Sequence, residues 1–319
     1  MNKRPIIIFL LLMAAIIVFV IYKDLISKRP ENRSVNPYEY DVVKYKSVDS
    51  AMVRYKEAQV ISLNTRAPRG LAYANRKLYI ASDSLLQVIT VDGKEVNRAK
   101  LPASPSCITV TDQSIFIGFN DFIAAFDLNG KMTGRWKPLG KKTLITSLAV
   151  KDNLLFAADA GSRKVHRYST DGKYLGVFDG KSAKDSKHGF IIPSPYFDVA
   201  FNHDGELWIA NTGKRALEQY YDNGTFRTFW SNDEVGIEGF WGCCNPAHFT
   251  FLPDGSFVTS EKNNVRIKVY KPSGALDCVV APSEKFPNEE LAPALATTPE
   301  GDIYALDFQK KEIRLFQHK

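Results

Sequence analysis

Cys243 and Cys244, with His248 four residues on, form the densest group of reactive side chains in the sequence. Several chemistries fit them. A vicinal disulfide would be strained, because neighbouring Cα atoms lie about 3.8 Å apart against the usual ~4.4–6.8 Å, and strain makes such a bond labile or redox-active. One of the pair could instead bridge to Cys107 as a structural staple suited to an exported protein. Cys243, Cys244 and His248 could hold a soft metal, zinc or copper, although C-C-x3-H matches no common zinc spacing. Thiols packed as small apolar residues are the remaining reading. Cys278, in the run ALDCVV, reads as a core thiol. Of the other histidines, His166, His203 and His318 read as surface residues, and His188 lies in a long connection that could reach a site. No G-x-S-x-G elbow, phosphate-binding loop or H-E-x-x-H pair is present.

A repeat must position these residues. Six segments share a small–apolar–small–apolar pattern: GLAY from Gly70, CITV from Cys107, SLAV from Ser147, DVAF from Asp198, HFTF from His248 and ALAT from Ala294. Period-2 alternation with one crowded face reads as a strand. A second strand follows each (KLYIAS, SIFIGF, LLFAAD, ELWIAN, SFVTSE, DIYALD), and third strands end four residues before Gly93, Gly130, Gly172, Gly224 and Gly274. Six four-stranded repeats spaced 37 to 51 residues apart describe an all-β, six-bladed β-propeller with the small residues on the innermost strands. A parallel β-solenoid would have shorter repeats without the paired hairpins. The sixth repeat ends before its fourth strand, and Ala58–Leu63 is a spare strand that can close the ring.

DVAFNHDGELWIANTGKRALEQYYDNG and LAVKDNLLFAADAGSRKVHRYSTDG resemble NHL repeats; the likeness covers residues 58–319 and is strongest over 145–275. The first two repeats depart from the pattern after their second strands. The resemblance implies the propeller fold and a range of functions: lyases, sensor domains, and protein- or RNA-binding platforms. An NHL relative, a peptidyl-hydroxyglycine lyase, uses several histidines around a channel zinc, with a nearby Tyr and Arg. Here the six aligned positions supply one histidine, His248.

Ahead of the repeats, Ile6–Tyr22 is an unbroken apolar run of 17 residues flanked by Lys3, Arg4 and Lys23. At 1.5 Å per residue it reaches about 25 Å, the low end for a spanning helix. The following KDLISKRPENR offers no small-residue cleavage site and no lipidation cysteine. Residues 1–29 therefore read as an uncleaved signal anchor, a transmembrane helix. Residues 30–57 read as a polar linker and 58–319 as the propeller, on the periplasmic or extracellular side of a membrane. Of the net charge of +7 over 319 residues, +4 lies in residues 1–29. The body is nearly balanced, which gives no argument for a nucleic-acid partner. The basic stretches GKRAL and NNVRIKVY follow the repeat and read as solvated blade edges.

In this fold the first residue of each innermost strand lies at one mouth of the axial channel, so Cys107, Asp198 and His248 are expected to share it. The last three connections leading back to that mouth are long: 26, 24 and 20 residues, against 14 and 17 for the first two. They carry Tyr196, Phe197, Phe240 and Trp241 as apolar anchors beside the polar Asp198 and His248. The polar residues ending second strands, Asp159, Asn211, Glu261 and Asp307, recur in register and read as structural. The expected function is a binding platform for a protein, peptide, glycan or small ligand. The alternative is a metal- or thiol-dependent enzyme or redox protein at the same mouth.

Overall fold

The computed structural model describes residues 4–26, 46–182, 189–242, 244–286 and 290–319. His188 and Cys243, and every expectation placed on them, lie outside the described residues. The chain divides into two units, residues 1–42 and 43–319. In the first, one helix, α1, spans Arg4–Ile26. From Ile7 to Lys23 every side chain is exposed, and the helix is apolar on all sides rather than along one stripe. Among the described residues no helix is long and apolar enough to cross a membrane.

The second unit is a six-bladed propeller of four-stranded antiparallel sheets. Blades I to V begin with the strands Pro68–Ala74, Pro105–Val110, Ile145–Lys151, Val199–Phe201 and His248–Phe251, and blade VI with Ala294–Thr297. In blade VI the outermost strand is Tyr55–Ser62, which pairs antiparallel with Glu312–His318. The two ends of the unit thus close the ring. Two bonds from Arg314 to Glu57, at 3.0 and 3.1 Å, fasten this joint. The joint also reaches blade V, where the Arg54 backbone N–H donates to Val279 O at 3.2 Å.

The second and third strands of the blades are buried on both faces, because each blade packs a neighbour on either side. The hydrophobic clusters accordingly sit between blades. Ile108 and Phe126 of blade II meet Tyr79 and Val88 of blade I, and Trp208 and Leu217 of blade IV meet Phe257 and Tyr270 of blade V. The turn glycines between third and fourth strands take a left-handed conformation. At Gly172 (φ +97°) a Cβ would also lie 2.6 Å from the Trp136 ring, so conformation and space both require glycine.

The polar residues that end second strands hold the connections. Asp159 accepts from Leu144 N–H at 2.8 Å, Asn211 from Ile191 N–H at 2.9 Å and Glu261 from Trp241 N–H at 2.9 Å. Each reaches back to the connection that enters its own blade. Seven residues further on, a third-strand polar group supports it: His166 lies 3.3 Å from Asp159, Glu218 accepts from Asn211 at 2.9 Å, and Lys268 lies 2.7 Å from Glu261. His166 is therefore buried rather than on the surface, because its ring is needed beside the buried Asp159. Burial opposes the Asp159 charge, but His166, Leu144 N–H and Ser162 hold its carboxyl well below the usual range.

The stretch NNVRIKVY is also corrected. Arg266 and Lys268 are fully buried, not solvated, because both pair with the buried Glu261. This cluster seizes the long connection into blade V. Lys268 Nζ donates to Ile237 O at 2.9 Å and Gly239 O at 2.7 Å, and Tyr270 Oη donates to Glu238 O at 2.9 Å.

Candidate functional site

The six innermost strands enclose an axial cavity of about 350 Å³, whose lining includes Cys107, Ser147, Asp198 and His248. Asp198 and His248 come from adjacent blades, IV and V, and His248 Nδ1 lies 3.4 Å from Asp198 Oδ2. Asp198 is held from three blades. Its Oδ1 accepts from Val199 N–H at 3.0 Å and from Ser147 Oγ of blade III; its Oδ2 accepts from Phe249 N–H of blade V at 3.1 Å. Ser147 Oγ in turn accepts from Val199 N–H at 3.2 Å. Ser147 thus latches blade III to the backbone of blade IV, and Asp198 latches blade IV to that of blade V.

With Asp198 occupied on both oxygens, the imidazole is what the site offers. Tyr196 meets it edge-on at 5.4 Å between centroids, and Phe308 lies 6.4 Å away. An Nδ1–H directed at Asp198 would leave Nε2 as an acceptor. Among the described residues Nε2 has no hydrogen-bond partner, and the side chain keeps 21% of its exposure. Such an arrangement can accept a hydrogen bond from a ligand or take a proton from it. Burial raises the Tyr196 phenol above its usual pKa, so it stays protonated across neutral pH. Lys262 Nζ lies 5.9 Å from the Tyr196 ring.

Two of the expected anchors are not at the mouth. Phe197 is packed among Phe190 and the blade III–IV core, and Phe240 among Trp230 and Tyr270. Their rings complete the inter-blade cores that hold the connections down. Trp241 is partly exposed, and its backbone is tied to Glu261.

Cys107 is at the mouth as a free, buried thiol, so it forms no staple. Cys244 is buried as well. Among the described residues no three His, Cys, Asp or Glu side chains gather where a metal could be held. Burial pushes the Cys107 and Cys278 thiols up to about 12. Native protein at pH 8 should therefore leave both unalkylated by N-ethylmaleimide over an hour, and denatured protein should label both, as read by peptide mass spectrometry. Rapid native labelling of Cys107 would mean that its thiol is open to the channel.

Three channel residues escape the reading of the repeat. In blades I to III the pairing of the first two strands shifts register between Pro68 and Gly70, Pro105 and Cys107, and Ile145 and Ser147. The extra residues, Arg69, Ser106 and Thr146, join the cavity lining. Thr146 is committed to Phe197 O at 2.6 Å. Arg69 is exposed and has no acidic partner among the described residues.

No protein-family model matches the sequence, and no curated protein does. Solved structures do match in fold. Virginiamycin B lyase from Staphylococcus aureus has a TM-score of 0.57 at 15% identity, covering 83% of this chain and 100% of that one. A streptogramin B lyase structure has a TM-score of 0.60 at 12% identity, covering 85% and 100%. The WD40 propeller domain of Doa1 has a TM-score of 0.55 at 14% identity, covering 79% of each chain. At these identities the likeness is one of fold. Such propellers serve as binding platforms and as enzymes.

Proposed function

We propose that the chain is an NHL-type propeller that recognises a ligand at the mouth of its axial channel. The observation that carries this reading is His248. It lies beside Asp198 and is framed by Tyr196, and among the described residues its Nε2 has no hydrogen-bond partner in a cavity of about 350 Å³. That volume lies at the low end of small-molecule sites and suits a compact ligand or one projecting group of a protein or glycan. The near-neutral charge of the body supports a partner other than nucleic acid.

We further propose that α1 anchors the propeller in a membrane, with the body on the periplasmic or extracellular side. Its exposed, all-round apolar surface from Ile7 to Tyr22 supports that role.

A His248→Gln variant tests the mouth. It should retain the fold and lose at least tenfold in affinity for whatever ligand co-purifies or is captured, measured by calorimetry. Unchanged affinity would place recognition elsewhere. A second reading, an enzyme with His248 as acid or base, is favoured by the His248–Asp198 pair itself. It predicts that the same variant binds its ligand normally but no longer converts it.

A further inference from the structure

We propose that the axial mouth takes a hydroxylated monocarboxylate of about the size of a uronic acid. In this pose the carboxylate lies on Arg69 and a hydroxyl donates to His248 Nε2. The inference rests on the mouth being the binding site and deepens that reading.

Around the ring, blade VI alone stands between His248 of blade V and Arg69 of blade I. Blade VI contributes Ala294 at the matching position, and blade I contributes Gly70, which has no side chain. The two polar groups therefore flank a gap lined by small residues. Arg69 reaches the cavity because of the bulge between Pro68 and Gly70. Its guanidinium has no acidic partner among the described residues, and a planar carboxylate matches its paired donors. His248 Nδ1 lies 3.4 Å from Asp198 Oδ2; with the proton on Nδ1, Nε2 offers an acceptor, which calls for a hydroxyl or N–H on the ligand.

With one blade between them, the two groups would meet opposite ends of a ligand rather than adjacent atoms. The charge count selects a monoanion. Arg69 is the only permanently charged cation lining the cavity among the described residues, and Asp198 is the acidic side chain that lines it. A dianion would meet one cation and one anion.

The test uses the full-length chain, purified in detergent. Long-range ¹H–¹⁵N NMR of the histidine imidazoles, assigned with His248→Gln, is followed during titration with glucuronate, glucuronamide, cyclohexanecarboxylate and inorganic phosphate. Glucuronate should move the His248 signals in the millimolar range, at least tenfold more tightly than each of the other three. Arg69→Met, at an exposed position where the change should leave thermal unfolding unaltered, should abolish the preference over glucuronamide and keep the His248 response. Equal binding of glucuronamide, tighter binding of phosphate, or no effect of Arg69→Met would overturn the carboxylate assignment and leave the mouth as a site of other specificity. Silence of His248 to all four would overturn it too. The His248→Gln affinity loss for a captured ligand then decides separately whether the mouth binds at all.

Discussion

Glu261→Gln should destabilise the propeller by about 3–5 kcal/mol, the range for removing one partner from a buried charge cluster. Glu261, Arg266 and Lys268 are all fully buried, with Glu261 placed 2.7 Å from each cation. Burial opposes the carboxylate charge, but Lys268 and Arg266 outweigh it and hold the carboxyl below its ordinary pKa. Glutamine would leave the Arg266 guanidinium without its counter-charge, and the Lys268 amine, which burial already lowers to about 7 with Glu261 present, would lose the group that favours its proton. The Lys268 ammonium lies 5.3 Å from the Phe240 ring centroid and 5.0 Å from that of Tyr270, contacts worth far less than an ion pair. Urea unfolding should register the loss, and melting should fall by on the order of 10 °C for a unit of this size. The damage should centre on the connection into blade V, whose carbonyls at Ile237 and Gly239 are bound by Lys268, so limited proteolysis should cut first between residues 232 and 242. Adding Lys268→Met to Glu261→Gln should recover part of the loss, since it removes a buried amine that has lost its partner. A single-variant loss below about 1 kcal/mol would mean that water or relaxation already compensates the cluster.

The propeller was legible because its repeat is enforced by geometry. Inner strands crowd an axis and must be small on one face, so Ala72, Ala149, Ala200 and Ala296 recur in register, and a ring of aligned strands follows. That same alignment brought Asp198 and His248 to one cavity. The rest was hidden for physical reasons. A bulge adds one residue and reverses the side-chain parity without demanding any residue type, so Pro68-Arg69-Gly70 reads as ordinary strand and Arg69 goes unseen. Phe197 and Phe240 have the residue type of a ligand anchor and of a core side chain alike, and only packing separates the two roles. Arg266 and Lys268 alternate with Val265, Ile267 and Val269 as edge-strand charges would. Their burial follows from a partner, Glu261, on the neighbouring strand. His166 is hidden in the same way, through Asp159.

The second large effect is expected at Asp198. Replacing it with alanine removes the acceptor for Val199 N–H, Phe249 N–H and the Ser147 hydroxyl, and the carboxylate 3.4 Å from His248 Nδ1, at once. Two backbone N–H groups near the axis lose their partner, each at about 1–3 kcal/mol where water cannot replace it. Ser147 still reaches Val199 N–H at 3.2 Å, and the cavity admits water, so the expected loss is about 2–4 kcal/mol rather than the full sum. The Asp198→Asn variant separates latch from director. An amide keeps one oxygen for the backbone but presents NH₂ to the other pair of donors, so this variant should retain part of the stability while reversing the polarity seen by His248. The imidazole would then hold its proton on Nε2 and offer a donor to the channel instead of an acceptor. Nitrogen chemical shifts of His248 report the tautomer directly. An Nδ1–H form in the parent and an Nε2–H form in Asp198→Asn would establish that Asp198 sets what the mouth can recognise. The same tautomer in both would leave Asp198 as an inter-blade latch, with His248 oriented by Tyr196 and Phe308 alone.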